Sequence, residues 1–273
     1  MGAPEVARAM RKTWSLAVLA LLAFRGPVHG NDLASIKQTG TLRMLSVVVE
    51  EEPEFVSSQA ERPGFDREVL DGFARLHRVK LELVPVTSWD GLVPALLKGR
   101  GDVIAGRYTA TDTRRKQIDF TTEVFPTRPV AITRKPHRVV KTLPELREEK
   151  VGIVKGTSLA DVLAAAGIPP AQIDDGLTAG GTFAALKAGR VTCIVEEVAT
   201  AILAQREDAD LQAGVFLGPA GSYAYGVRKE DKELRAALDE YVENLRKTPT
   251  WNRLVVKYLG ESAPEILKKA RTE

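Results

Sequence analysis

The chain has 273 residues, with 39 Lys and Arg against 36 Asp and Glu, and a single cysteine, Cys193. Its surplus charge lies wholly in the first thirty residues, where Arg8, Arg11, Lys12 and Arg25 face only Glu5, so residues 31–273 carry 35 charges of each sign. A chain balanced this closely lacks the basic face that nucleic-acid binding needs, and one cysteine excludes an internal disulfide, leaving the core to hold the fold.

In chain order, Met10-Arg11-Lys12 is a basic start, residues 16–24 are an apolar run too short to span a bilayer, and Val28-His29-Gly30 offers a cleavage site. The segment reads as a signal peptide over residues 1–30, cleaved near Gly30, and the absence of cysteine there excludes a lipoprotein. No later segment is long and apolar enough to span a membrane. Residues 42–49 are an apolar, β-branched run and predict a buried strand. Phe65, Val69, Phe73 and Leu76 recur at helical spacing and predict a helix over residues 65–77. Residues 80–86 predict the next strand, Ser88 an N-cap for a helix carrying Leu92, Val93, Leu96 and Leu97, and residues 102–105 a third strand.

That strand then runs into Gly106-Arg107-Tyr108-Thr109-Ala110-Thr111-Asp112-Thr113-Arg114. Thr111 or Asp112 predicts a helix N-cap, and Arg114 follows one turn in. Arginine presents a planar fork that matches a carboxylate in two parallel hydrogen bonds. A strand end, free hydroxyls and a fixed arginine point to a site for a small ligand that bears a carboxylate.

The pattern recurs downstream. Residues 130–133 predict a strand, and Thr142-Leu143-Pro144-Glu145 a capped helix start. Residues 151–154 predict a strand, Gly156-Thr157-Ser158 leads into a helix over 159–166, and residues 182–188 and 191–195 predict a further helix and strand. Leu96-Leu97-Lys98-Gly99 through Ile104 lines up with Leu186-Lys187-Ala188-Gly189 through Ile194, an internal echo that predicts two related lobes. Segments 124–129 and 217–222, rich in Pro and Gly, read as crossings between them. The expected lobes are residues 31–125 plus 222–273, closed by a helix bearing Leu234, Leu238, Tyr241 and Leu245, and residues 126–221. Two crossings suit lobes that close on a ligand. His29, His77 and His137 are scattered without metal-ligand spacing, and no phosphate-loop or nucleophile-elbow motif occurs, so neither a metal nor a cofactor is expected.

At this point the chain resembles the bacterial extracellular solute-binding proteins of family 3, the polar amino-acid binders of ABC importers, over roughly residues 38–260. The matching segments, in order, include Gly40-Thr41-Leu42-Arg43, Gly64-Phe65-Asp66, Trp89-Asp90-Gly91-Leu92, Thr109-Ala110-Thr111, Arg114, Asp119-Phe120-Thr121, Gly156-Thr157-Ser158 and Tyr225-Gly226-Val227-Arg228-Lys229. The resemblance implies the two-lobed α/β periplasmic-binding-protein fold of type II, each lobe a mainly parallel sheet flanked by helices, with two hinge crossings. It implies a monomeric, periplasmic, non-catalytic protein that captures an amino acid or related small carboxylate between the lobes and delivers it to an ABC permease. Residue by residue, Arg114 resembles the arginine that grips the ligand carboxylate and Thr109 the hydroxyl that helps hold it. Trp89 resembles the residue that packs on the ligand side chain. Thr157 and Ser158 stand at the helix start that favours a carboxylate, and Glu197 stands where the family places an aspartate for the ammonium.

Four departures bear on the ligand. Arg107 falls where a small residue is usual, Glu197 is one methylene longer than aspartate, Thr192 replaces an aspartate, and Glu50-Glu51-Glu52 stands where an aromatic residue often precedes the Pro-x-Phe segment. Arg107 favours a second acid on the ligand, or else the glutamates favour a cation or pair with Arg107 to close the cleft. Two other functions fit the same fold. One is an enzyme resembling cyclohexadienyl dehydratases, with Glu196 or Glu197 as general acid or base. The other is a sensor module acting through a membrane receptor.

Overall fold

The computed structural model describes residues 32–272; the expected leader and its cleavage site lie outside them. Helix α1 (Leu33–Thr39) leads into β1 (Thr41–Ser46), α2 (Phe65–Leu76), β2 (Lys80–Pro85), α3 (Leu92–Leu97), β3 (Val103–Ile104), α4 (Asp112–Arg115) and β4 (Asp119–Phe120). The chain crosses through β5 (Phe125–Thr127) into β6 (Pro129–Arg134), α5 (Leu143–Leu146), β7 (Val151–Val154), α6 (Leu159–Ala165), β8 (Ile173–Leu177), α7 (Thr182–Lys187), β9 (Cys193–Glu197), α8 (Val198–Glu207) and β10 (Leu211–Phe216). It returns through β11 (Gly221–Tyr223) to β12 (Gly226–Val227) and ends in α9 (Lys232–Arg246), α10 (Pro249–Leu259) and α11 (Ala263–Arg271).

The strands form two five-stranded sheets of matching topology, β2-β1-β3-β12-β4 and β8-β7-β9-β6-β10, joined by the two-stranded ribbon β5-β11. In each sheet four strands share one direction. The reversed strand, β12 in one and β6 in the other, is the one that enters directly from the ribbon. This is the two-lobed type II arrangement expected from the repeating pattern. The echo has a physical basis: α3 and α7 both stop at a glycine in the left-handed region, Gly99 and Gly189, each at φ 71°. In both, the next residue's amide returns to the helix, Arg100 to the Ala95 carbonyl and Arg190 to that of Ala185, each at 3.0 Å.

The two halves also share a joint below the sheet. The Asp102 carboxylate accepts the Arg43 amide at 2.8 Å, and the Thr192 hydroxyl accepts the Lys150 amide at 3.0 Å. Thr192 thus does in the second half what Asp102 does in the first, away from the seam between the sheets. One local expectation is corrected. Ser88 does not cap α3; its carbonyl accepts the Gly91 amide in a turn, and Gly91 occupies the N-cap with no side-chain hydrogen bond. Thr111 caps α4 by accepting the Arg114 amide at 3.2 Å.

The larger core joins α2, β1 and α9 to α10 and α11, and aromatic edges stack through it, Phe65 on Trp251 and Phe55 on Phe125 and Tyr223. The last helix, α11, lies against both β5 and α8, so the C-terminal segment rests on the second half as well as the first. Arg228 is the buried tie of the first half: at 4% exposure it donates to the Leu96 and Gly101 carbonyls and pairs with Asp231 at 2.8 Å. Removing one partner of such a pair strands the other charge. Arg228→Ala is therefore expected to destabilise the protein by about 3–5 kcal/mol, read as a fall in the denaturant midpoint; an unchanged midpoint would refute the role.

Candidate functional site

The carboxyl ends of the strands in the two sheets face each other across a cleft. On the first side, β3 ends at Ile104 and the chain turns through Gly106 at φ 91° and Arg107 at φ 57°. A Cβ at Gly106 would stand 2.3 Å from the Ser46 hydroxyl, so only glycine lets this turn lie against β1. Tyr108 is buried and stacks on Phe120, and its ring supports the Arg114 guanidinium at 4.0 Å. Arg114 also donates to the Thr109 carbonyl at 2.8 Å. Its aim is thus set before any ligand arrives.

On the second side, β9 ends in Glu196 and Glu197. Glu197 is the N-cap of α8 yet makes no cap hydrogen bond with its side chain, which leaves its carboxylate to the cleft. The Thr127 hydroxyl donates to Glu197 Oε2 at 2.5 Å, while Oε1 is buried and has no hydrogen-bond partner among the described residues. Glu196 accepts from the Thr182 hydroxyl at 2.7 Å. After β7, Gly156 at φ 78° lets the chain pass against Asp90, whose amide nitrogen would stand 2.8 Å from a Cβ there. Thr157 turns its hydroxyl back to the Val154 carbonyl at 2.8 Å, and Ser158 instead reaches across the cleft to the Thr109 hydroxyl at 3.2 Å.

The cleft thus gathers all seven residues expected from the sequence: Trp89, Arg107, Thr109, Arg114, Thr157, Ser158 and Glu197 line one cavity of about 60 Å³. Thr157 lines the wall with its hydroxyl engaged locally. Of the openings left for Arg107, the geometry shows the internal pair: Arg107 Nη1 binds the Glu52 carboxylate and donates to the Thr200 hydroxyl on α8 at 3.1 Å. Thr200 and Tyr223, also in the wall, were not foreseen. Thr200 sits in a run of alanine, valine and isoleucine that reads as core, and Tyr223 belongs to the ribbon, whose proximity to the cleft is a property of the crossing.

Among the described residues three hydrogen bonds span the cleft, Arg107 to Thr200, Ser158 to Thr109, and Arg114 to the Gly156 carbonyl at 3.3 Å, and outside it Arg128 donates to the Thr272 carbonyl. Burial dominates the electrostatics. It pushes Glu197 up to about 7, only partly opposed by Thr127, Arg107, Arg114 and the Thr109 hydroxyl, and it pushes Glu196 up to about 8 with Glu52 adding to the rise. It pushes Arg114 down, against the neighbouring Tyr108 and acids. Each of these groups is more costly to charge than in water, so each gains from an opposite charge brought into the cleft.

The model of the bacterial extracellular solute-binding proteins, family 3, matches residues 45–261. A probable histidine-binding protein of Campylobacter jejuni is 26% identical over 198 residues, 71% of this chain and 76% of that one. The L-cystine-binding protein TcyJ of Escherichia coli is 24% identical over 257 residues, 93% of this chain and 95% of that one. Among solved structures, a mutant of ArgBP from T. maritima superposes with a TM-score of 0.74 at 27% identity, over 84% of this chain and 99% of that one.

The raised Glu197 value fixes the sign of a pH dependence. An acid that ionises at about 7 when folded and at 4.5 in the open chain holds its proton in the folded state across that window. Stability from this group is then fully present below pH 4.5 and falls, by about 3 kcal/mol, as pH rises through 7. Denaturant unfolding of the ligand-free protein at pH 5 and pH 8 is expected to show the loss, and Glu197→Gln to reduce it. An equal pH slope in wild type and variant would contradict the assignment.

Proposed function

The chain belongs to family 3 of the bacterial extracellular solute-binding proteins, and from that premise we propose that it captures a free amino acid in the cleft and hands it to the permease of an ABC importer. The observation that carries this reading is the facing of opposite charges across one small cavity: half-buried Arg114, with no carboxylate among its hydrogen bonds, on one side and buried Glu197, with Oε1 unpartnered, on the other. That is the charge pattern of an amino-acid zwitterion. In this reading Arg114 takes the α-carboxylate through two parallel hydrogen bonds, with the Thr109 and Ser158 hydroxyls beside it. Glu197 Oε1 accepts from the α-ammonium, and Trp89 bounds the side-chain end.

The lobes are residues 31–125 with 222–273, and residues 126–221. Because the ligand touches both only when they are closed, its binding energy favours the closed state, and the permease reads that state. We place the protein in the periplasm as a monomer, with the leader removed after about Gly30. The relatives named above are binding proteins, and the cleft is read here as a binding site without catalysis; no turnover of prephenate or arogenate is expected.

The test is a thermal-shift panel of amino acids, polyamines and dicarboxylates at about 1 mM on protein refolded from denaturant to strip carried-over ligand. A ligand with a dissociation constant near 1 μM stabilises by about 4 kcal/mol, which is about 8–16 °C for a chain of this size. Arg114→Ala is expected to keep the unliganded melting temperature within a few degrees and to lose the shift entirely. A variant that still shifts would remove Arg114 from the site. Ligand capture also needs Glu197 ionised, so binding is expected to tighten as pH rises towards about 7 and to release a proton. Calorimetry at pH 6 in two buffers of different ionisation enthalpy reads that release, and identical heats would count against Glu197 as the ammonium partner.

A further inference from the structure

We propose that Arg107 occupies, from within the protein, the part of the cleft that would otherwise receive the side chain of a cationic amino acid, and that it thereby restricts the ligand to a compact amino acid with an uncharged side chain. The proposal rests on the reading of the cleft as an amino-acid site. Once Arg114 and Glu197 are assigned to the α-carboxylate and α-ammonium, the rest of the wall includes Glu52, Trp89, Thr200 and Arg107 itself, with the second acid Glu196 hydrogen-bonded to Thr182. A carboxylate, a hydroxyl and an indole face are the groups that a guanidinium binds well, by charge-assisted hydrogen bonds and by stacking. All three are present, and Arg107 engages all three: it pairs with Glu52, donates to Thr200 and lies 5.9 Å from the Trp89 ring centre.

The backbone is built to hold it there. Arg107 has φ 57°, a left-handed conformation that side-chain-bearing residues rarely adopt, and its amide is fixed by the buried Asp66 carboxylate at 3.2 Å. Space gives the second argument. Arg107, Glu52, Thr200 and Gly180 line both the cleft of about 60 Å³ and a neighbouring cavity of about 390 Å³, whose lining also includes Phe55, Phe183 and Leu203. With the arginine in place the cleft has room for a short side chain only; without it the two spaces join, and Glu52 is left as an unpaired acid facing them.

Glycine at position 107 relieves the left-handed strain, so Arg107→Gly is expected to fold, checked by circular dichroism. Arg107→Asn, which also tolerates this backbone, serves as the second variant. Calorimetric titration with glycine, L-alanine, L-serine and L-arginine is expected to show wild type binding a compact amino acid and no L-arginine, and both variants gaining L-arginine affinity by at least about 100-fold. Adding Glu52→Gln to Arg107→Gly is expected to remove that gain. Wild type that binds L-arginine as tightly as the variants overturns the proposal. Variants that still bind the compact amino acid and gain nothing for L-arginine also overturn it, and leave amino-acid binding intact. No amino acid bound by any of the proteins brings down the reading of the cleft itself, and this inference with it.

Discussion

Charge cannot be buried singly at the seam between two sheets, and the arrangement of this protein follows from that. An uncompensated ion in a low-dielectric environment either finds a partner or changes its protonation. At this seam Arg107 has found Glu52, while Glu196 and Glu197 hold their protons more tightly than exposed acids do. Arg114 leans on the Tyr108 ring and two carbonyls without a carboxylate among its hydrogen bonds. The seam is therefore partly satisfied. A ligand carrying both a carboxylate and an ammonium completes it, whereas a neutral or singly charged molecule of the same size leaves one side still uncompensated.

The bonds that bridge the cleft set how much work the ligand does. Arg107 to Thr200 and Ser158 to Thr109 already join the halves without it. Hydrogen bonds of this kind contribute only about 1 kcal/mol each in net terms, so they bias closure without locking it. The close backbone passages, Gly156 against Asp90 and Gly180 against Glu51, are what the halves gain in packing when closed. Beyond these contacts, the differential affinity of a ligand for the open and closed states sets the population.

Much of the scaffold was legible because its signals are local. The apolar run at β1, the helical spacing of Phe65, Val69 and Phe73 in α2, and the helix-stop glycines 99 and 189 each report on their own segment. The elements that escaped are those whose identity depends on a partner. Strand β8 reads Ile-Asp-Asp-Gly-Leu, an edge strand with two acids that only its pairing to β7 makes a strand. Strand β12 is two residues long and exists because β3 and β4 flank it. The same holds at the cleft. Arg114 stands out one turn into a capped helix and Glu197 through the family resemblance, but the partner of Arg107 lies 55 residues away, and its hydroxyl contact lies 93 residues away on α8. Sequence spacing carries no information on such pairs, so the role of Arg107 is set only where the two halves meet.

The duplicated topology also explains why opposite charges face each other across the cleft. Ligands of open α/β sheets sit beyond the carboxyl ends of the strands, where the winding changes direction. Here there are two such points, one per sheet, and the folding pattern turns them towards each other. The third strand of each half, β3 and β9, follows the same helix and the same left-handed glycine, and reaches the cleft at an equivalent place. Their endings differ in charge: β3 leads to Thr109 and Arg114, while β9 leads to Glu196 and Glu197. The scaffold below them is kept in kind, with Thr192 capping the Lys150 amide where Asp102 caps that of Arg43. Two copies of one supersecondary unit thus place a basic and an acidic side chain on opposite walls of the cleft. Recognition of an amino acid then requires no new framework, only a change of sign at one strand end.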